Sequence, residues 1–352
     1  MPSPTVAVLV RTKDRPRFLR RALANIAEQT FTDYTVCVIN DGGDESATRA
    51  ILQASPLAHL LEGDTPRLTL LTTGGGNMEA ASNAGLAATD SKFVAIHDDD
   101  DLWAPEFLER TVGALRASEA LICSTRVVEH YERETPEGEF EVYEERIFHD
   151  GLPGFGLQFL YRTNRTVPIG ILYRRRLHEL VGFYDESLPV VGDWEFNLRA
   201  AAVTEVLLVD EPLAYWSLRP EADGAEANSV QRQAEHARFD ASVRARAIRD
   251  DLQSGGRPGP YLYQAHLMAD LERRVIDGHD LTRESLDLLR SLGERLERIE
   301  ARQAAMDARQ RELEARFAAD RSRGRGALRT LSSAARSLAR RMRSAKPHGE
   351  GR

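Results

Sequence analysis

Short apolar runs alternate with amphipathic stretches through the first 130 residues. Val6–Val10, Tyr34–Asn40, Arg67–Leu71 and Phe93–His97 are brief, largely apolar runs, the pattern of strands covered on both faces. Pro16–Glu28, Ser46–Ala54, Met78–Ala88 and Pro105–Ser118 repeat apolar positions at helical spacing, and Pro16 suits a first helical turn. Strand–helix alternation at this spacing predicts an α/β fold, a mostly parallel sheet flanked by helices.

Beyond Leu121–Val128 the pattern loosens. Residues 132–150 are polar and rich in glutamate, and predict a loop or an exposed hairpin. Strands are expected again at Pro168–Tyr173, Val206–Val209 and Leu213–Trp216, with helices at Arg174–Val181 and Gly192–Ala201. The expected organisation is one domain over 1–220, in halves 1–118 and 119–220, then a helical linker region over 221–280. From 281 to 320 the chain is heptad-like: Leu289, Leu292, Leu296, Ile299, Gln303, Met306, Gln310, Leu313 and Phe317 alternate spacings of three and four. That seam predicts a coiled-coil extension and a homo-oligomer, the other reading being a solitary charged helix. Residues 321–352 form a basic tail, either an amphipathic helix resting on an anionic membrane through 321–346 or a disordered segment.

Composition narrows the function classes. The formal net charge is −8, and it is uneven. Residues 321–352 carry ten Lys/Arg against Glu350, hence +9, which leaves −17 on residues 1–320. An acidic body argues against a nucleic-acid binder. Cys37 and Cys123 each sit in an apolar run and read as core residues in a reducing compartment. The start Met1-Pro2-Ser3-Pro4 lacks signal-peptide features, so a cytoplasmic location, peripheral to the membrane, is expected.

Three acidic elements carry candidate chemistry. Asp98-Asp99-Asp100-Asp101 follows the run Phe93–His97, at the end of a strand where open α/β sheets bind ligands. Four adjacent anions repel one another unless a cation or hydrogen bonds offset them, and carboxylates suit Mg²⁺ or Mn²⁺. The plainer reading is that Asp100 or Asp101 starts the next helix. Asp41 ends the second strand and opens onto the same edge, although Asp41-Gly42-Gly43 is also a ready tight turn. Asp193, in Val191-Gly192-Asp193-Trp194-Glu195, reads as a helix cap or a general base.

The chain resembles a family 2 glycosyltransferase with the GT-A fold. The matching pieces are Val8–Pro16, Gln29-Thr30-Phe31, Val38–Gly42, Ser82-Asn83-Ala84-Gly85, Ile96–Trp103, Gly182–Glu186 and Gly192-Asp193-Trp194. Their order and spacing across residues 4–219 carry the likeness. The resemblance implies an inverting transfer of a sugar from a nucleotide-sugar donor to a hydroxyl of a glycan, lipid or protein. By position, Thr12, Asp14, Asp41, Asn83, Asp98 and Asp99 would bind the donor. Asp100 would hold Mn²⁺ or Mg²⁺, and Asp193 would be the base. Lys13, Ser82 and Arg219 depart from the family pattern, which often has an aromatic, an arginine and, near the domain's end, a histidine. A sugar nucleotidyltransferase and a non-catalytic coiled-coil scaffold are the alternatives.

Overall fold

The structure, a computed structural model, describes residues 4–136, 138–151, 153–222, 228, 233–276, 291–307, 309, 311, 333–337 and 340. The chain divides into two compact units, 1–256 and 257–352.

The first unit is built on β1 (Val6–Thr12), β2 (Tyr34–Asp41), β3 (Leu68–Thr73) and β4 (Phe93–Asp98), paired in parallel in the order β3-β2-β1-β4. Alternate residues of one strand serve opposite layers. Val6, Val8 and Val10 pack under α1 (Pro16–Ala27) and α2 (Glu45–Ala54), while Ala7 and Leu9 face α3 (Met78–Ala88). Both faces are therefore apolar, and the strands read as unbroken runs in the sequence.

The second half departs from the parallel pattern. A two-residue strand β5 (Leu102–Trp103) precedes α4 (Phe107–Arg116), and β6 (Ile122–Glu134) follows. Residues 132–150, left open between loop and hairpin, form a hairpin: β7 (Phe140–Ile147) pairs antiparallel with β6. After α5 (Leu157–Leu160), β8 (Ile171–Arg174) joins antiparallel to both β4 and β6. Helices α6 (Leu177–Val181) and α7 (Gly192–Val203) lead into β9 (Val206–Leu218). The two short strands expected at 206–209 and 213–216 are thus one. It runs parallel to β6, with the register slipping around Arg126. The sheet is accordingly mixed: its parallel ladders, β3-β2-β1-β4 and β6-β9, are bridged by β8, which runs antiparallel to both β4 and β6.

Helix α8 (Gln233–Gln253) belongs to the first unit and docks on α7, Val243 packing against Leu188 and Trp194. The second unit contains α9 (Pro258–Ile276) and is helical over 291–307, where Leu296, Ile299 and Met306 are exposed. Seam positions 292 and 303 also lie on this helix, whereas 289, 310, 313 and 317, and the basic tail apart from 333–337 and 340, lie outside the described residues. Among the described residues no helix is long and apolar enough to cross a membrane.

Trp103 ties the halves together. Its ring stacks on Phe107 at 4.4 Å and meets His97 edge-on, and its Nε1 donates to Ile169 O at 2.6 Å. Replacing Trp103 with alanine should remove about 3–5 kcal/mol of stability through the cavity and the orphaned carbonyl. Urea unfolding of the first unit reads this directly, and a loss under about 1 kcal/mol would contradict the role given to Trp103.

Candidate active site

The acidic rim is buried, and guanidinium groups face it. Asp99, Asp100 and Asp101 are 1%, 8% and 4% exposed, which carboxylates tolerate only when paired or hydrogen-bonded. Arg11 grips Asp98 with Nε and Nη2, both at 2.8 Å. Arg15 bridges Asp99 at 2.9 Å and Asp100 at 2.7 Å. Thr12 Oγ1 donates to Asp99 Oδ2 at 2.7 Å, and the Ser217 N–H to Asp101 Oδ1 at 2.9 Å.

Arg219, just past β9, donates to Asp100 and reaches Glu132 on β6 at 3.1 Å. Arg21 on α1 holds the other side of Glu132 at 2.7 Å. The Phe18 ring lies under both Arg15 and Arg219, each 4.5 Å from its centre. Five carboxylates thus meet four guanidiniums delivered by β1, α1 and the end of β9.

Titration follows from this packing. Burial pushes Asp99 up to about 7 despite Arg15, and raises Asp101 well above the usual carboxylate range. Burial also acts on Asp100, but Arg15 and Arg219 outweigh it and hold that carboxyl low. His97 is a satisfied strand-end histidine. Its nitrogens meet Asp98 O at 2.8 Å and Asn25 Oδ1 at 3.2 Å, and burial pushes it down to about 4.

The divalent ion expected at Asp100 does not fit these carboxylates as they stand. Asp100 Oδ2 already accepts from Arg15, Arg219 and Asn228, and Asp99 is spent on Thr12 and Arg15. Among the described residues no group of three acidic, histidine or cysteine side chains could hold a metal. Nor do these acids start a helix, since α4 begins at Phe107 with Glu106 at its cap.

Of the sequence-predicted residues, Asp98 and Asp193 line one cleft and Asp41 and Asn83 a second, both bordered by α3, while Thr12, Asp14, Asp99 and Asp100 line neither. The larger, about 480 Å³, is lined by Arg11, Glu79, Asp98, Asp101, Asn164 and Asp193 among others. The second, about 440 Å³, is lined by Asp41, Thr73, Gly74–Gly76, Asn83 and Glu186. Asp41 accepts from Thr73 Oγ1 at 2.6 Å and from the Gly76 N–H, so it fastens the Gly74–Gly76 loop. Asp14 accepts from the Asp44 N–H at 3.0 Å. Asn83 is committed to the turn after α6, exchanging hydrogen bonds with the Tyr184 backbone and reaching Glu186.

Asp193 opens α7. The residue before Gly192, Val191, has φ 61°, a left-handed conformation that costs a β-branched residue energy and occurs where surroundings enforce it. The turn presents Asp193 to the larger cleft, where Asn164 Nδ2 donates to its Oδ2 at 2.7 Å. Burial raises the affinity of Asp193 for a proton, opposed by the Trp194 N–H, Asn164, Arg11 and His236.

Sequence reading missed Arg11, Arg21, Glu132, Asn164 and Glu79 as parts of this site. Arg219 had a signal, the basic residue close to where a histidine is common.

Residues 7–179 match the profile of the family described as Glycosyl transferase family 2. The uncharacterized glycosyltransferase YwdF of Bacillus subtilis (strain 168) is 25% identical over 201 residues, 56% of this chain and 68% of its own. The succinoglycan biosynthesis protein ExoW of Rhizobium meliloti (strain 1021) is 38% identical over 95 residues, covering 26% of this chain and only 28% of ExoW. The crystal structure of S. aureus TarS 1-349 in complex with UDP-GlcNAc superposes with TM-score 0.48 at 17% identity, over 64% of this chain and 61% of that one.

Removing Arg219 takes one of two guanidiniums from each of two buried acids, leaving Arg15 on Asp100 and Arg21 on Glu132. Arg219→Ala should cost about 3–5 kcal/mol, the penalty of breaking a buried ion pair from one side. Denaturant titration measures it, and a stability within about 1 kcal/mol of wild type would show that the guanidinium is not what holds the rim together.

Proposed function

The chain belongs to the family 2 glycosyl transferases, and we propose that it transfers a sugar from a nucleoside-diphosphate donor to a hydroxyl with inversion, Asp193 serving as the general base. The observation that carries this reading is Asp193 itself. It is a carboxylate aimed into a cleft, oriented by Asn164, and sharing that cleft with the strand-end acids Asp98 and Asp101. Burial raises its proton affinity, which brings a carboxylate closer to the range in which it can take a proton at neutral pH.

In the proposed step the acceptor oxygen attacks the anomeric carbon, and its proton passes to Asp193. The bond from that carbon to the diphosphate breaks, and the electron pair leaves with the diphosphate. Asp193 must be ionised beforehand, so transfer falls as pH drops through its raised value. Arg11 is the guanidinium that lines the cleft, and it is our candidate for meeting charge on the leaving group. Family members often use a divalent ion. No step is assigned to one, given the guanidinium-paired carboxylates.

Thr12, Asp14, Asp41, Asn83, Asp98 and Asp99 remain our proposed donor-binding set. Asp98 faces the transfer cleft, Asp41 and Asn83 line the neighbouring cleft beyond α3, and Thr12 and Asp99 are joined by their hydrogen bond. The role printed for ExoW supports a glycan as acceptor. The exposed apolar positions Leu296, Ile299 and Met306 support self-association through 281–320.

A hydrolysis screen over UDP-, GDP-, dTDP-, CDP- and ADP-linked sugars should find a donor that turns over. With it, Asp193→Asn should lower turnover by about 10²–10⁴-fold while leaving donor affinity within about twofold in isothermal titration. Retained turnover in that variant would remove Asp193 from the role of base.

A further inference from the structure

Glu79 occupies an unusual place for an acid in the first turn of a helix. Such residues ordinarily point into solvent near the positive end of the helix, yet Glu79 is only 3% exposed. Its side chain turns inward and lies across Gly192. A Cβ built on Gly192 would stand 2.2 Å from Glu79 Oε1 and 2.4 Å from Cγ, so Glu79 can sit there only because residue 192 has no side chain. Gly192 immediately precedes Asp193, and Glu79 and Asp193 line the same cleft.

Two further observations bear on Glu79. Its Oε2 is buried and makes no hydrogen bond among the described residues, a state that costs about 1–3 kcal/mol unless something not yet bound answers it. Burial pushes its carboxyl up to about 7, Arg11 opposing and Asp193 adding to the rise. The titratable and charged groups around the pair are Arg11 on β1, Asp98 on β4 and Asp101 just beyond it, His149 after β7, Tyr184 before α7, and His236 and Asp240 on α8. Arg11 is thereby shared among Asp98, Glu79 and Asp193, and one guanidinium cannot neutralise three carboxylates.

We propose that Glu79 is a positioning residue for sugar transfer: a buried carboxyl, seated in the space left by Gly192, that keeps a proton while Asp193 carries the charge. The inference rests on Asp193 being the base. The two acids of the cleft then carry one proton and one negative charge between them, a division of acid and base states set by their different environments. When the acceptor hydroxyl gives its proton to Asp193, both acids are briefly neutral. Release of one proton to solvent restores the singly charged pair. Glu79 forms no bond to substrate and consumes no co-reactant.

The test compares wild type with Glu79→Gln, an isosteric side chain that is permanently neutral. Glu79 binds its proton more tightly folded than unfolded, so the stability it contributes is complete below the unfolded value near 4.5 and is lost as pH rises to about 7. The melting temperature of Glu79→Gln should therefore rise relative to wild type by about 3 °C or more between pH 5 and pH 8. A difference that stays flat across that range overturns the proposal, and this readout needs no substrate.

With the donor found in the screen, the ratio of variant to wild-type turnover should climb at least threefold between pH 6 and pH 8.5, as wild type acquires a second charge facing an anionic donor. A constant ratio counts against the proposal. Gly192→Ala, which displaces Glu79, should alter the wild-type pH profile in the same region, and an unaltered profile would oppose it. Failure of the parent reading looks different: Asp193→Asn would keep its turnover whatever Glu79 titrates like. An inactive Asp193→Asn together with a flat melting difference sinks the Glu79 inference alone.

Discussion

Pairing of guanidinium with carboxylate at the rim of the sheet is the interaction on which the rest depends. Four consecutive aspartates cannot be buried beside one another as bare anions; the cost of desolvating each ion is several kcal/mol before their mutual repulsion is added. Arg11, Arg15 and Arg219 offset that cost together with hydrogen bonds from Thr12 and the Ser217 N–H, while Arg21 pairs with Glu132 beside them. Because these partners come from β1, α1 and the far end of β9, forming the rim also draws together the two halves of the sheet. Phe18, between Arg15 and Arg219, supplies an apolar surface on which both cations rest.

The same economy of charge extends into the cleft. Arg11 serves Asp98 directly and lies close enough to Glu79 and Asp193 to act on both. Its position is braced by Ser82 Oγ at 3.1 Å and the Met78 carbonyl at 3.3 Å. Ser82 is small, and its hydroxyl leaves room for Arg11 to reach across from β1. The arrangement couples α3 to the strand ends, and any substitution at residues 11, 79 or 82 changes the field felt by Asp193.

Much of the fold was legible in the sequence, and the reason is physical. Strands covered on both faces must be apolar throughout, and Val6–Val10, Val36–Ile39 and Phe93–Ile96 are. The helices between them showed their buried stripes, and Asp44 and Asn77 cap α2 and α3 through their side chains. The second half was harder, because β8 and β9 take their directions from partners distant in the chain. Leu102–Trp103 is too short to announce itself as a strand. Within the site the four aspartates and Asp193 stood out as acids at element ends. Their partners did not: Arg15 and Arg219 lie 85 and 119 residues from Asp100, separations over which local pattern says nothing. Glu79 was hidden because its helix position looks like an ordinary first-turn acid, and only Gly192 beside Asp193 hinted at a space to be filled.

The central claim is that the C-terminal rim of β1, β2 and β4 is where the donor is held. Amide hydrogen exchange, compared with and without UDP, GDP, dTDP, CDP and ADP in turn, tests it most directly. The account predicts that the nucleoside diphosphate that binds protects the segments 10–15, 40–44 and 97–104 together. Protection confined to other faces of the domain, with those three segments unchanged, would contradict it.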